Sequence, residues 1–176
     1  MRPALPFALP LIALSFLSAS PASALDMPPR KPGLWELKMT FEGRKLPPQV
    51  FQHCIDAATD KQMNTIGNAR AGQCEKQDVQ RSGDTIVVDS VCKIGPTTTT
   101  SHGVVTGSFD SAYTVNVTSK REGGPAIPNM PAESHMLIEA KWTGPCKADQ
   151  KPGDMIMANG MKLNIHDMPN VGALKR

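Results

Sequence analysis

From Gly33 to Phe41 the chain alternates, with Leu34, Glu36, Lys38 and Thr40 on one side and Trp35, Leu37, Met39 and Phe41 on the other. A period of two with large apolar residues on one side predicts a half-buried β-strand, and Gly43 ends it. After the Pro47-Pro48 break, residues 49–55 (QVFQHCI) read as a second strand. Asp56 can then cap a short helix over 57–66, before Gly67. Two strands follow around Arg-Ser-Gly-Asp at 81–84. With Ser82-Gly83-Asp84 as the loop, Arg81 closes on Thr85 and Cys74 falls opposite Cys92. A further hairpin spans 97–120; with Asp110-Ser111 as its turn, Val104, Thr106 and Ser108 face Val117, Val115 and Tyr113 on one face. A Gly/Pro-rich loop covers 121–133. The last long strand, 134–146, carries Met136, Ile138, Ala140 and Trp142 on one side, and the tail adds a short turn and a short strand. About seven strands in sequential hairpins and one short helix place the chain in the mainly-β class. The expected architecture is a single domain, an antiparallel meander forming a curved sheet or open barrel.

The N-terminus follows a different pattern. Arg2 precedes an apolar run from Ala4 to Leu17, and Ala22-Ser23-Ala24 matches the small-x-small pattern at which a signal peptide is cut. The run is shorter than the roughly 20 apolar residues that span a bilayer, and it carries Pro6 and Pro10. Residues 1–24 are therefore expected to be a signal peptide. Residues 25–32 form a Pro-rich, extended and poorly ordered lead-in, 33–168 the β-rich domain and 169–176 a tail. No second segment is long and apolar enough to span, so the expected product is a soluble periplasmic or secreted protein.

An exported setting changes how the cysteines read. Cys54, Cys74, Cys92 and Cys146 are an even set with no close pair of the C-x-x-C kind, which favours two disulfides over a thiolate metal site. The hairpin register pairs Cys74 with Cys92 and leaves Cys54 for Cys146. Charge adds little: 19 basic against 16 acidic residues give a formal +3, scattered along the chain. That balance, with no interleaving of aromatic and basic residues, excludes nucleic acid as an expected partner.

Candidate chemistry is sparse. No G-x-S-x-G or H-E-x-x-H occurs, and the cysteines are committed to bridges, so no catalytic residue is assigned and no enzyme activity is expected. An undetected hydrolase is one alternative. The other is copper: thioether and imidazole suit Cu(I), and methionine clusters with histidine at Met130, His135 and Met136, at Met155, Met157 and Met161, and at His166 and Met168. Methionine also fills irregular cores, and no cofactor is expected. Gly33 lets the chain turn in from the lead-in, Trp35 is the first inward residue of the first strand, and Trp142 lies near the end of the last long one. Their expected role is structural, capping the core from the two ends of the chain. The leading function is a non-enzymatic structural or binding module, for a small apolar ligand or an envelope partner of unknown identity.

The elements KPGLWEL at 31–37, Cys54 before a short helix, the pair Cys74 and Cys92, GSFDSAYTVNV at 107–117, KWTGPC at 141–146 and KPGDM at 151–155 together resemble a bacterial secreted family, domain of unknown function 3617. The resemblance covers roughly residues 30–160. It implies an exported small β-protein and brings no activity, substrate or catalytic residue. Gly33-Leu34-Trp35 is also similar to the Gly-x-Trp that opens lipocalin-type barrels, but the helix expected there before a final strand is missing, and the helix of this chain comes early.

Overall fold

The computed structural model describes residues 27–44, 46–71, 74–126 and 131–167. The expected signal peptide, residues 1–24, the expected tail, residues 169–176, and Met130 and Met168 lie outside the described residues. Nine strands form one antiparallel sheet: β1 (Gly33–Glu42), β2 (Gln49–Ile55), β3 (Cys74–Ser82), β4 (Thr85–Ile94), β5 (Thr97–Ser108), β6 (Ala112–Glu122), β7 (Glu133–Gly144), β8 (Asp154–Ile156) and β9 (Lys162–Asn164). The helix α1 (Ala57–Ala71) links β2 to β3. The sheet order is β3-β4-β5-β6-β7-β1-β2-β8-β9, so the sheet is open, with β3 and β9 at its edges. The consecutive strands β3 to β7 are the expected meander. What hairpins alone do not give is the seating of β1 between β7 and β2.

The cross-strand registers sort the side chains into rows on one inner face. The first row runs Trp142–Trp35–His53–Met155–Leu163 and the second Gly107–Tyr113–Ala140–Leu37–Phe51. The third is Arg81–Ile86–Val105–Val115–Ile138–Met39–Gln49, and the fourth Val79–Val88–Gly103–Val117–Met136–Phe41. The core is built from the first three rows and from Ile55 at the end of β2: Trp35, Leu37, Ile55, Ile86, Val105, Tyr113 and Ala140 are buried in one cluster. Met27 from the lead-in and Met63 from α1 pack against it, so both segments cover this end of the face.

Two registers depart from expectation. The β5–β6 turn is Phe109–Ser111 rather than two residues, and Ser108 pairs Ala112, Gly107 pairs Tyr113 and Val105 pairs Val115. A slip of one residue sends every side chain of a strand to the opposite face. Tyr113, Val115 and Val117 therefore share the inner face with Gly103 and Val105, whereas Val104, Thr106 and Ser108, expected beside them, face out. In the β3–β4 hairpin Ser82 pairs Thr85 around a Gly83-Asp84 turn, again one residue off. An irregularity between Cys74 and Lys76 restores the facing pair Cys74 and Cys92, which are bridged. Cys54 is bridged to Cys146, completing the expected connectivity.

The helix is longer than its sequence suggested. Asp56 does cap it: the Thr59 N–H donates to Asp56 Oδ1 at 2.8 Å while Thr59 Oγ1 accepts from the Asp56 N–H at 2.9 Å. This reciprocal pairing satisfies two otherwise orphaned donors. The hydrogen bonds from the Thr59 backbone and side chain hold the Asp56 carboxyl below the usual carboxylate range. Gly67 does not stop the helix, which runs on to Ala71.

Candidate functional site

At the covered end the lead-in is fastened rather than loose. The Lys31 N–H donates to the Phe109 carbonyl at 2.8 Å. Trp35 Nε1 donates to the Lys31 carbonyl at 2.8 Å and Trp142 Nε1 to the Pro32 carbonyl at 3.1 Å. The Lys31 ammonium stands 3.7 Å over the Trp142 ring. The two indoles are cross-strand neighbours on β1 and β7, Trp35 fully buried and Trp142 half-buried. Gly33 makes this contact possible: its φ is +131°, and a Cβ there would sit 2.6 Å from Trp142 Nε1. Only glycine tolerates both the backbone angle and the approach.

Beneath the strap lies a buried ion pair. Arg30 Nε donates to Asp60 Oδ1 at 2.7 Å and the Arg30 N–H to Asp60 Oδ2 at 2.8 Å, with side-chain exposures of 9% and 1%. Both carboxylate oxygens are thus engaged, the condition under which a buried charge is tolerated. Tyr113 lies between Trp35 and Phe109, with ring centroids 5.5 and 4.7 Å away. Burial pushes its hydroxyl up, partly offset by the charge of Arg30. The periodicity of the sequence gave no sign of this pair, because Arg30 sits in a Pro-rich lead-in and Asp60 inside a polar helix.

His53 adjoins this end, opposite Trp35 on one side and Met155 on the other. Its Nδ1 is buried with no hydrogen-bond partner. Burial first, and the Arg30 charge second, push its pKa down to about 4 from 6.5. A depressed folded-state pKa means that the unfolded chain takes up a proton which the folded chain refuses. The stability tied to a neutral His53 is fully present above about pH 6.5 and is lost as the pH falls toward 4. At about 1.4 kcal/mol per pH unit the loss is on the order of 3 kcal/mol. Urea midpoints at pH 7.5 and 4.5 should therefore differ more for the native chain than for His53→Leu. Equal differences would show that the acid sensitivity lies elsewhere.

Further along the inner face the cover thins. In the fourth row Val88, Val117, Met136 and Phe41 are only half-buried, and edge residue Val79 is 36% exposed. The next row is hydroxylic: Gln77–Ser90–Ser101–Ser119–Ser134, with the Ser101 and Ser119 hydroxyls 2.9 Å apart. Arg44, just past β1, lays its guanidinium 5.1 Å from the Phe41 ring centroid, and its Nε is buried with no hydrogen-bond partner. The inner face thus grades from a closed aromatic core, through an apolar strip, to a row of hydroxyls.

Of the methionine–histidine groups that the sequence nominates, Met130 and Met168 lie outside the described residues, and the group around His135 is split by its strand. His135 and Met136 are adjacent on β7 and so point to opposite faces; His135 faces outward, its Nδ1 3.2 Å from the Thr118 hydroxyl and its Nε2 3.5 Å from Glu133. His166 is exposed in the turn after β9. Among the described residues no group of three or more His, Cys, Asp or Glu could hold a metal ion. On the outer face His102 Nδ1 lies 2.8 Å from Asp89, an exposed pair. No helix among the described residues is long and apolar enough to cross a membrane.

No curated protein and no solved structure matches the chain. The span from Arg30 of the buried ion pair to Cys146 of the long-range disulfide, residues 30–146, matches a family model described as protein of unknown function, DUF3617. The chain belongs to that family.

Proposed function

We propose that this is an exported, non-enzymatic binding module whose inner face takes a small apolar ligand along the fourth row. Export is supported by the cleavable-looking N-terminus and the two disulfides, which persist in oxidising compartments such as the periplasm. The observation that carries the ligand reading is the strip Val79, Val88, Val117, Met136 and Phe41. It continues the core across the sheet yet is not fully covered. An open sheet can leave such a surface because its edges do not meet, whereas a closed small barrel fills its interior with side chains. An apolar lining with few polar groups at one end is the usual make-up of a small-molecule site. Arg44 and the serine row supply that polar end.

The environment-sensitive fluorophore N-phenyl-1-naphthylamine tests this reading. The native chain should bind it with a blue-shifted emission. Val79→Lys combined with Met136→Gln should weaken binding about tenfold, equivalent to about 1.4 kcal/mol. Asn116→Asp, on the outer face, should leave binding unchanged. Absence of binding by the native chain, or equal loss in the inner- and outer-face variants, would remove the strip as a site.

A further inference from the structure

The motif Met155-x-Met157 with Met161 acquires a partner in the fold that its sequence did not suggest. Strands β8 and β9 form a hairpin in which the Met157 N–H donates to the Met161 carbonyl at 2.9 Å, so these two residues face each other. Met155 lies two residues before Met157, on the same side of the strand. On its other flank β8 pairs with β2, where Met155 stands directly opposite His53. Facing residues of antiparallel strands hold their β-carbons about 4.5–5.5 Å apart. Positions two apart on one strand are separated by about 6.5 Å. Three thioethers and one imidazole therefore start within a patch that unbranched methionine side chains can span. We propose that His53, Met155, Met157 and Met161 form a binding site for copper(I).

The donor set selects the metal. Thioethers are soft, neutral donors suited to Cu(I), and a neutral imidazole completes a three- or four-coordinate set. Calcium, magnesium and manganese prefer oxygen donors, and none of the four residues supplies a carboxylate or thiolate. The imidazole has a nitrogen to give, because His53 Nδ1 is buried without a partner. The nearby Arg30 charge, which would repel a cation, is matched by Asp60 at 2.7 Å. Access comes from the hairpin: Met157 is 39% and Met161 49% exposed, so an ion from solvent can reach both thioethers. This set keeps the Met155, Met157 and Met161 group that the sequence names and adds His53, whereas His135 and Met136 face opposite ways.

The test is anaerobic competition for Cu(I) against bicinchoninate, using the full disulfide-bonded chain. The native protein should withdraw a single equivalent of copper from the chelator. Its X-ray absorption spectrum should show both sulfur and nitrogen scatterers. Met157→Leu with Met161→Leu, chosen because both side chains are exposed and the fold should persist, should lower the affinity at least about tenfold. His53→Gln should weaken binding and remove the nitrogen signal, while Met136→Leu should change neither. If bicinchoninate keeps all the copper, if the double methionine variant binds as the native chain does, or if Zn(II) displaces the copper at equal concentration, the site is not as assigned.

Discussion

Trp35→Ala is expected to lower the unfolding free energy by about 3–5 kcal/mol, the usual cost of truncating a large buried aromatic residue. Trp35 is fully buried and lies at the meeting of β1, β2 and β7. It carries three separate loads. Its ring sits 5.5 Å from Tyr113, its Nε1 holds the Lys31 carbonyl at 2.8 Å, and that strap keeps Arg30 against Asp60. Losing the indole leaves a cavity, an unpaired carbonyl and a loosened cover over a buried charge. Each of these adds to the cost rather than relieving it. A domain typically has about 5–15 kcal/mol of stability, so the variant should melt far below the native chain in a thermal scan. Trp35→Phe, which keeps most of the volume but not the N–H, should fall between the two. A variant that kept the native midpoint while losing the fluorophore would make Trp35 a ligand contact instead of a structural one.

The first strand was readable from the sequence because Trp35, Leu37, Met39 and Phe41 contrast sharply with the polar residues between them. The face of β5 was not. In TTTTSHGVVTGS hydroxyl residues fall on both sides and Val104 stands beside Val105, so a period of two has little contrast to work on. Register then rests on the turn, where a three-residue Phe109–Ser111 connection and a two-residue one predict opposite faces. Gly67 misled for a related reason. Glycine lowers helix propensity by only about 1 kcal/mol, which a capped helix can absorb. The disulfide pairing survived an error of one residue in its hairpin, because an irregularity beside Cys74 moved the cysteines back into line.

The candidate sites were less accessible than the fold because they depend on pairings across the chain. The buried Arg30–Asp60 pair joins residues 30 apart in sequence, and neither lies in a motif. The methionine patch gains its histidine only through the β2–β8 pairing, between segments about a hundred residues apart. What the motifs did announce is a junction. Gly33 and Trp35 from one end of the domain meet Trp142 and Gly144 from the other, across the β1–β7 ladder. Their co-occurrence in one sequence is explained by that contact: the glycine must be bare for the second indole to approach.

The disulfide beside this junction should matter more than the one at the edge. Cys146→Ala is expected to cost on the order of 4–5 kcal/mol on the chain-entropy model, because the bridge to Cys54 spans 92 residues. The Cys74–Cys92 bridge spans 18 residues, for which the same model gives about 3 kcal/mol. Position widens the gap. Leu34 of β1 pairs with Cys54 on one side and Gly144 on the other, so the Cys54–Cys146 bridge straps β2 to the end of β7 around β1. It does so where the β1–β7 ladder is irregular, between Leu34 and Trp35, and Cys54 itself is fully buried. The other bridge ties β3, an exposed edge strand, to β4. Releasing it should free that edge locally, visible as faster proteolysis within residues 74–82, while most of the core stays paired. Denaturant midpoints of Cys146→Ala and Cys92→Ala order the two. A larger drop for Cys92→Ala would mean that the edge strand is integral to the cooperative unit and that the strap around β1 is secondary.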